Sequence, residues 1–397
     1  MAWRVAKVDE QRKEFIEQIN NSGRTITDLC NEYQISRKTA YKWIHRYQEN
    51  GEEGLKDRSR SPHSQPRKTN EILLQRILEV KNKYSKWGPK KILAVLEAEF
   101  PQDNWPSDTT IGNILERHGL VIPRKYRKRF PTKSDPLSHC LAANDIWSVD
   151  FKGWFLTKDG VKCDPLTVTD AHTRFILSCI KLECGKEPEV WKVLEEQFYK
   201  NGLPKRLRHD NGPPFATAGA GRLSKLSIKL IKAGIIPEWI EPGKPYQNGR
   251  HERMHKTLKA EGIFSLRLTL DEQQMKFRDF IHYYNFERPH EALGQRPPGS
   301  IYVPSDRSWD GNLRSPEYDE NCLVKRISER GQISWKGRDV YIGKTLKGEY
   351  IGINEGEQGE WKVYFGPVFL GIIDHENNFI IPLKRQRINR NYKVRCY

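Results

Sequence analysis

The sequence predicts a multidomain chain with all-α units at its N-terminal end, a central α/β core and a small C-terminal β-barrel. Length is the first reason, because 397 residues exceed one ordinary core and ask for roughly two to four domains. The second is a change of period. Helical spacing fills the first part of the chain, and from about Asp145 β-rich runs alternate with amphipathic helices. The third is that helical patterns stop beyond about Arg314, where short strands are broken by Gly, Asn and Asp. A hydrophobic content of 37% supports packed domains over global disorder.

The first domain is expected over 1–53, with three helical patterns between about Asp9 and Tyr47. In TITDLCNEYQISRKTAYKWIHRYQENG, Ile26, Leu29 and Cys30 share one face of a short helix. Tyr33-Gln34-Ile35 makes a turn, and Ser36 suits the N-cap of the next helix. That helix is expected to place Tyr41, Ile44 and Tyr47 inward and Arg37, Lys38, Lys42 and Arg46 outward. Two short helices, the second led by polar and basic residues, follow the helix-turn-helix plan for entering a major groove. A plain three-helix protein-interaction module competes. The basic linker GLKDRSRSPHSQPRKT at 54–69 favours DNA, as an extended tether or a minor-groove arm.

A second helix-turn-helix is expected over 70–122. Ile72, Leu73, Ile77 and Val80 mark its first helix and GPKKILAVLEAEF its second. PSDTTIGNILERHGL is the third, capped by Ser107 or Asp108 and presenting Thr109, Thr110 and Asn113. PRKYRKRFPTK dominates a basic connector at 123–138, a solvated run or a phosphate track. The core is expected over 139–310. IWSVDF, LTVTDA and RFILSCIKL read as antiparallel strands, PEVWKVLEEQFYKNG as a helix ended by Gly202. KRLRHD, GRLSKLSIKLIKAG and IPEWIE then read as strand, helix and strand. DVYIG, EYIGI, EWKVYF, VFLGIID and FIIPL make the barrel of 311–397, which ends in the basic tail KRQRINRNYKVRCY.

Lys and Arg number 68 against 51 Asp and Glu, a formal charge of +17, which suits a polyanionic partner, nucleic acid first and an anionic membrane second. No apolar stretch reaches the roughly 18–20 residues of a spanning helix. MAWRVAKVDEQRKEF lacks the apolar core of a signal peptide, so a soluble intracellular protein is expected. The seven cysteines form no CxxC pair, which argues against a disulfide framework or a four-ligand zinc site.

Three acids carry the chemistry: Asp150 in WSVDFKGW, Asp210 in RLRHDNGPPF and Glu252 in KPYQNGRHERMHKTLK. The first two close strands and the third opens a helix after a loop, Pro242 to Gly249. Carboxylates gathered this way supply oxygen ligands for hard divalent cations. Lys256 and Lys259 fall at i+4 and i+7 from Glu252, where they and Arg250 can grip adjacent phosphates. Taken singly, Asp150 could be an edge-strand charge, Asp210 a turn former and Glu252 half of a helix salt bridge. Asp170 in VTDAHTRF suits an ordinary hairpin turn and is read as structural. His251-Glu252-Arg253-Met254-His255 is a literal HExxH, the zinc-protease pattern, with Glu272 or His282 as conceivable third ligand. Arg250 and Arg253 stand where a buried zinc helix would want apolar residues, and that reading leaves Asp150 and Asp210 without a role.

WSVDFKGW, RHDNGPPF and PYQNGRHERMHKTLK resemble the corresponding segments of the integrase-type DDE transposases of bacterial insertion sequences, relatives of retroviral integrases. YYNFERPHEALGQRPPGSIY, Tyr283 to Tyr302, is similar to the segment closing their catalytic core, and RKTAYKWIHRYQENGEEGLKDRSRSP to their helix-turn-helix. The resemblance implies a ribonuclease-H-like core with Asp150, Asp210 and Glu252 as its metal-binding triad. The separation of the last two, 252 − 210 = 42, is longer than in retroviral integrases, and the His/Cys zinc domain of those proteins is absent. Transposition is the function implied, on double-stranded DNA of terminal inverted repeats and target, with two Mg²⁺ (or Mn²⁺) ions as cofactors. A DNA-assembled homo-oligomer in the bacterial cytoplasm, at the nucleoid and away from membrane, is implied with it. A metal-dependent nuclease, a transposase-derived DNA-binding regulator and, remotely, a zinc protease are the alternatives.

Overall fold

The computed structural model describes residues 8–57, 69–121, 137, 139–182, 184–241, 244–261, 268–374 and 379–381. The basic linker from 58 to 68, nearly all of the basic connector, Pro242 and Gly243 of the loop before Glu252, and the basic tail from 382 lie outside the described residues. The chain forms two compact units, Met1–Thr69 and Asn70–Tyr397.

In the first unit, α1 (Val8–Asn21), α2 (Ile26–Glu32) and α3 (Arg37–Asn50) enclose Phe15, Ile16, Leu29, Cys30, Ala40, Trp43 and Leu55. Ser36 caps α3 as expected, its side chain accepting from the Thr39 amide. The inward face of α3 differs from expectation. Ala40 and Trp43 are buried with Ile44 and Tyr47 beside them, whereas Tyr41 is 46% exposed. Positions 40, 43, 44 and 47 form the i, i+3, i+4, i+7 stripe, and Tyr41 lies about 100° away from Ala40 around the helix.

The second unit begins with α4 (Glu71–Lys83), α5 (Pro89–Glu99) and α6 (Asp108–Arg117), packed around Ile77, Trp87, Ile92, Leu96, Ile111 and Leu115. Ser107, not Asp108, is the N-cap of α6. Ile72 is 62% exposed and belongs to the outer side of α4, since Ile77 with Leu74, Leu78 and Val80 supplies the inner one. These helices are fastened to the core by aromatic contacts. Tyr84 stacks on Trp87 at 3.8 Å, the Trp87 indole donates to the Tyr283 hydroxyl at 2.6 Å, and the Tyr84 hydroxyl donates to Glu287 at 2.7 Å.

The core contains β1 (Ile146–Phe151), β2 (Phe155–Leu156), β3 (Lys162–Asp170), β4 (Ile176–Leu182), α7 (Glu187–Asn201), β5 (Arg206–His209), α8 (Lys225–Lys232), β6 (Ile236–Trp239), α9 (Gly249–Ala260) and α10 (Leu270–His282). The strands run in the order β4-β3-β1-β5-β6, with the short β2 beside β3. β1, β3 and β4 are antiparallel neighbours, while β5 and β6 continue the sheet parallel to β1. This is the ribonuclease-H-like arrangement. Inward residues Trp147, Val149, Leu166, Val168 and Leu207 pack under α7 and α8. On the other face Met254, Leu258, Phe277 and Phe280 of α9 and α10 cover Cys163, Ile176 and Cys179. Gly202 ends α7 at φ 74, where a Cβ would stand 2.5 Å from the Ser305 carbonyl oxygen. After α10, a π-helical turn at Tyr283–Glu287 brings in Asn285, whose buried amide accepts from Ile176 N–H and donates to Ile176 C=O, both at 2.9 Å. One side chain thereby replaces a strand neighbour on β4.

The C-terminal strands are β7 (Leu323–Arg326), β8 (Gln332–Trp335), β9 (Arg338–Tyr341), β10 (Tyr350–Glu355), β11 (Trp361–Phe365), β12 (Val368–Asp374) and β13 (Phe379–Ile381). They form one sheet in the order β7-β10-β11-β12-β13-β9-β8. The expected barrel is not closed, because the end strands β7 and β8, consecutive in the chain, are not paired. β7 is exposed at every position, Leu323 and Val324 included, so it has no inward row to draw it across to β8. The sheet instead curls over Ile351, Ile353, Val363 and Phe365 and packs against Ile228 and Ile231 on the outer face of α8.

Candidate active site

Side chains alternate across a strand, so the inward Trp147 and Val149 of β1 send Ser148 and Asp150 to the opposite face. Asp150 stands opposite Thr167 of β3, and Ser148 opposite Thr169, so these four share the face covered by α9. The parallel register with β5 pairs Ser148 with Arg208. Two residues further along each strand are Asp150 and Asp210, one at the end of β1 and the other just past β5. Asp210 is exposed, and its Oδ1 accepts the Gly212 amide at 3.1 Å, the tight turn expected of Asp-Asn-Gly. Glu252 lies half-buried in the first turn of α9.

Electrostatics ties the three acids together. Burial pushes the Asp150 carboxyl up to about 7, and the Asp210 and Glu252 charges raise it further against the lowering effects of the Phe151 amide and Lys152. Like charges have this effect on a carboxyl only when they are near it.

Sequence reading missed Arg208. Its side chain is 5% exposed, donates from Nε to Glu238 at 2.8 Å and from Nη1 to the Gln247 carbonyl at 2.8 Å. It therefore ties the approach to α9 onto β5 and β6. The signal available was an arginine inside a strand, flanked by the buried Leu207 and His209.

The two histidines of the HExxH pattern point into the sheet. Both are buried, and their rings sit 4.7 Å apart. Nε2 of His251 and Nε2 of His255 each lie 2.7 Å from the Thr167 hydroxyl, and Nδ1 of His251 lies 2.8 Å from the Thr169 hydroxyl. The Thr167 hydroxyl donates to the Asp150 carbonyl at 3.0 Å. Burial drives both imidazoles toward the neutral form, His251 to about 3 and His255 to about 2, with His251 and Lys152 adding to the effect on His255. Donor atoms of Asp150, His251 and His255 lie within 4.8 Å of one another. The third group beside the two histidines is thus Asp150, with its Oδ2 4.0 Å from His255 Nδ1. Glu272 instead closes a capping box with Thr269, and His282 lies 3.5 Å from Glu287, so neither belongs to this cluster.

Of the residues proposed for DNA contact, Arg37, Lys38 and Lys42 are exposed on α3, as are Thr109, Thr110 and Asn113 on α6 and Lys256 and Lys259 on α9. Arg46 is half-buried, and with Lys42 and the unanticipated Arg12 it lies over the Trp43 ring, at 5.0, 4.8 and 3.8 Å from the ring centre. Arg250 is also half-buried and donates to the Ala171 carbonyl at 2.9 Å. Asp170 is fully buried and receives the Asn144 and Thr173 amides and the Thr173 hydroxyl, the structural role expected of it.

Residues 233–298, which contain α9, α10 and Glu252, match a family model described as an integrase core domain. A helix-turn-helix domain model matches residues 11–63, and a homeodomain-like model matches 39–115. The C-terminal sheet, residues 323–380, matches the C-terminal domain of the IS481 family transposases. Over 241 residues, 59% of this chain, the sequence is 27% identical to an uncharacterised 39.2 kDa protein of insertion element IS476 from Xanthomonas euvesicatoria, covering 66% of that relative. It is also 25% identical over 241 residues to an uncharacterised 31.7 kDa protein of insertion element IS407 from Burkholderia multivorans, covering 83% of it. Together these matches support an insertion-sequence transposase of the integrase superfamily. The match spans just under two thirds of the IS476 relative. The catalytic core domain of HTLV-2 integrase, solved with magnesium, aligns with 41% of this chain and 98% of its own length at 17% identity and a TM-score of 0.32. No described helix of the chain is long and apolar enough to cross a membrane.

Proposed function

We propose that the chain binds the terminal inverted repeats of its element, cleaves DNA at the element's 3′ ends and joins the freed 3′-OH groups to target DNA. The observation that carries this reading is the Asp150 carboxyl pushed up to about 7 by burial and by Asp210 and Glu252. Three carboxylates that repel one another, two of them at adjacent strand ends, form a site that a cation would relieve. An oxygen donor set fits a hard divalent ion, Mg²⁺ with Mn²⁺ as substitute, and Asp150, Asp210 and Glu252 would hold it, in the two-ion form implied by the family. Such ions supply electrostatic stabilisation of the attacking and leaving oxygens of a phosphodiester. The protein's part is to place the acids, to present Lys256 and Lys259 to neighbouring phosphates, and to read the ends through α3 and α6. Joining two ends calls for at least two protomers assembled on DNA, in the bacterial cytoplasm at the nucleoid.

A second reading has one observation in its favour, the cluster of Asp150, His251 and His255, which could take zinc. Labelled repeat-end DNA and a plasmid target, with Mg²⁺ or with chelator, separate the two. Asp150→Asn, Asp210→Asn and Glu252→Gln are each expected to abolish cleavage and joining while repeat binding persists. Near-normal strand transfer by Asp210→Asn, or stoichiometric zinc that disappears on His255→Ala, would transfer the assignment to the zinc reading.

A further inference from the structure

The buried HExxH histidines are not consumed by the proposed chemistry, yet they touch the strand that carries it. We infer that Thr167, Thr169, His251 and His255 form a positioning latch that holds α9, and with it Glu252, in register against the β1–β3 pair carrying Asp150. The inference rests on Asp150 and Glu252 being metal-binding carboxylates.

The inner stripe of α9 is His251, Met254, His255 and Leu258, all buried at helical spacing. Its apolar members join Cys163, Ile176 and Cys179 in ordinary packing. Packing alone fixes the sliding of a helix along a sheet weakly, and one turn is about 5.4 Å. Hydrogen bonds do not tolerate such a slip, because they weaken steeply with distance and angle.

The Thr167 hydroxyl has one proton to donate and two lone pairs. All are used: the proton goes to the Asp150 carbonyl at 3.0 Å, and the lone pairs face the two Nε2 atoms at 2.7 Å. That assignment makes both histidines Nε2–H tautomers, and Nδ1 of His251 then accepts from the Thr169 hydroxyl at 2.8 Å. Thr167 is thus bonded at once to the backbone of Asp150 and to residues on both sides of Glu252 in sequence. The same bonds occupy both nitrogens of His251, so zinc could bind there only by breaking them.

The test uses the full chain and Mn²⁺ as probe, with binding read from the spin-resonance signal of free Mn²⁺. Thr167→Val replaces the hydroxyl by a methyl at similar size, and Thr167→Ser keeps it. Valine is expected to lower Mn²⁺ affinity and kcat about 10–100-fold, as loss of groups behind metal ligands typically does. KM for repeat-end DNA should stay unchanged, and Thr167→Ser should restore both affinity and kcat. Thr169→Val removes only the outer bond and is expected to give a smaller decrease of the same sign, which carries the test should Thr167→Val fail to fold. Wild-type Mn²⁺ affinity in Thr167→Val, or a failure of serine to rescue, overturns the latch. Asp150→Asn in parallel separates the levels: if it too binds Mn²⁺ normally, the metal assignment beneath the latch has failed. If Asp150→Asn alone weakens binding, only the latch has.

Discussion

Asp150→Asn should make the metal-free protein more stable at neutral pH while destroying its activity. A carboxyl raised from 3.8 to about 7 is disfavoured as an anion in the fold. At about 1.36 kcal/mol per pH decade, the three decades amount to about 4 kcal/mol. Because the folded pKa lies above the unfolded one, the native state binds the extra proton between those values. Stability from this group is therefore fully present below about pH 4, declines as pH rises, and is lost above about pH 7. Asparagine cannot ionise and removes that slope. Melting in chelator at pH 5 and pH 8 measures it: about 1.6 kcal/mol should already be lost by the wild type at pH 5 and about 4 at pH 8. The advantage of the variant should thus grow by roughly 2–3 kcal/mol between the two, or several degrees in the melting of the core. Added Mg²⁺ should reverse the order, since only the wild type gains from binding. Parallel pH dependence of the two proteins in chelator would refute the reasoning and separate Asp150 from the Asp210 and Glu252 charges.

Two further outcomes test the grip on DNA. Lys256→Ala or Lys259→Ala should weaken binding of the cleavable end and make its salt dependence shallower, by about one unit of slope for each phosphate left without its lysine. An unchanged slope in both variants would place these lysines on a solvated face. Replacing Arg37 and Lys38 together by Ala should reduce discrimination between repeat and random DNA more than non-specific affinity, measured by competition footprinting. Unchanged footprints would move sequence reading to Thr109, Thr110 and Asn113 on α6.

What was legible in the sequence depended on local signals. Ser36 and Ser107 cap helices through bonds within a few residues, so the first of those boundaries could be read directly and the second to within one residue. Alternation through Trp147-Ser148-Val149-Asp150 is itself a local pattern, and it sets the acid apart from the inward Trp147 and Val149. Other features lay in signals that were present but unread. α10 is announced by Thr269 and Glu272, a capping box confirmed by bonds in both directions, ahead of the buried Phe277 and Phe280. β7 and β8 are only four residues long, at the lower limit of the length over which alternation marks a strand. Barrel closure is a matter of which strand edges meet, and no strand's own pattern records it.

The HExxH motif marks the deeper limit. Its histidines at i and i+4 share one side of α9 whether they bind zinc or hydroxyls, so the helix alone cannot decide between them. What the helix does not show lies in β3, where Thr167 and Thr169 stand two apart on one face and between them meet both rings. A pair of threonines in a strand is unremarkable by composition, since β-branched residues are common there. Only the register Asp150↔Thr167 shows that the threonine serving the histidines is also the one bonded to the backbone of the central acid. On the proposed reading the motif marks α9 for a reason different from the one its pattern suggests: its histidines meet hydroxyls of β3, and its glutamate is one of the two charges that raise the Asp150 carboxyl.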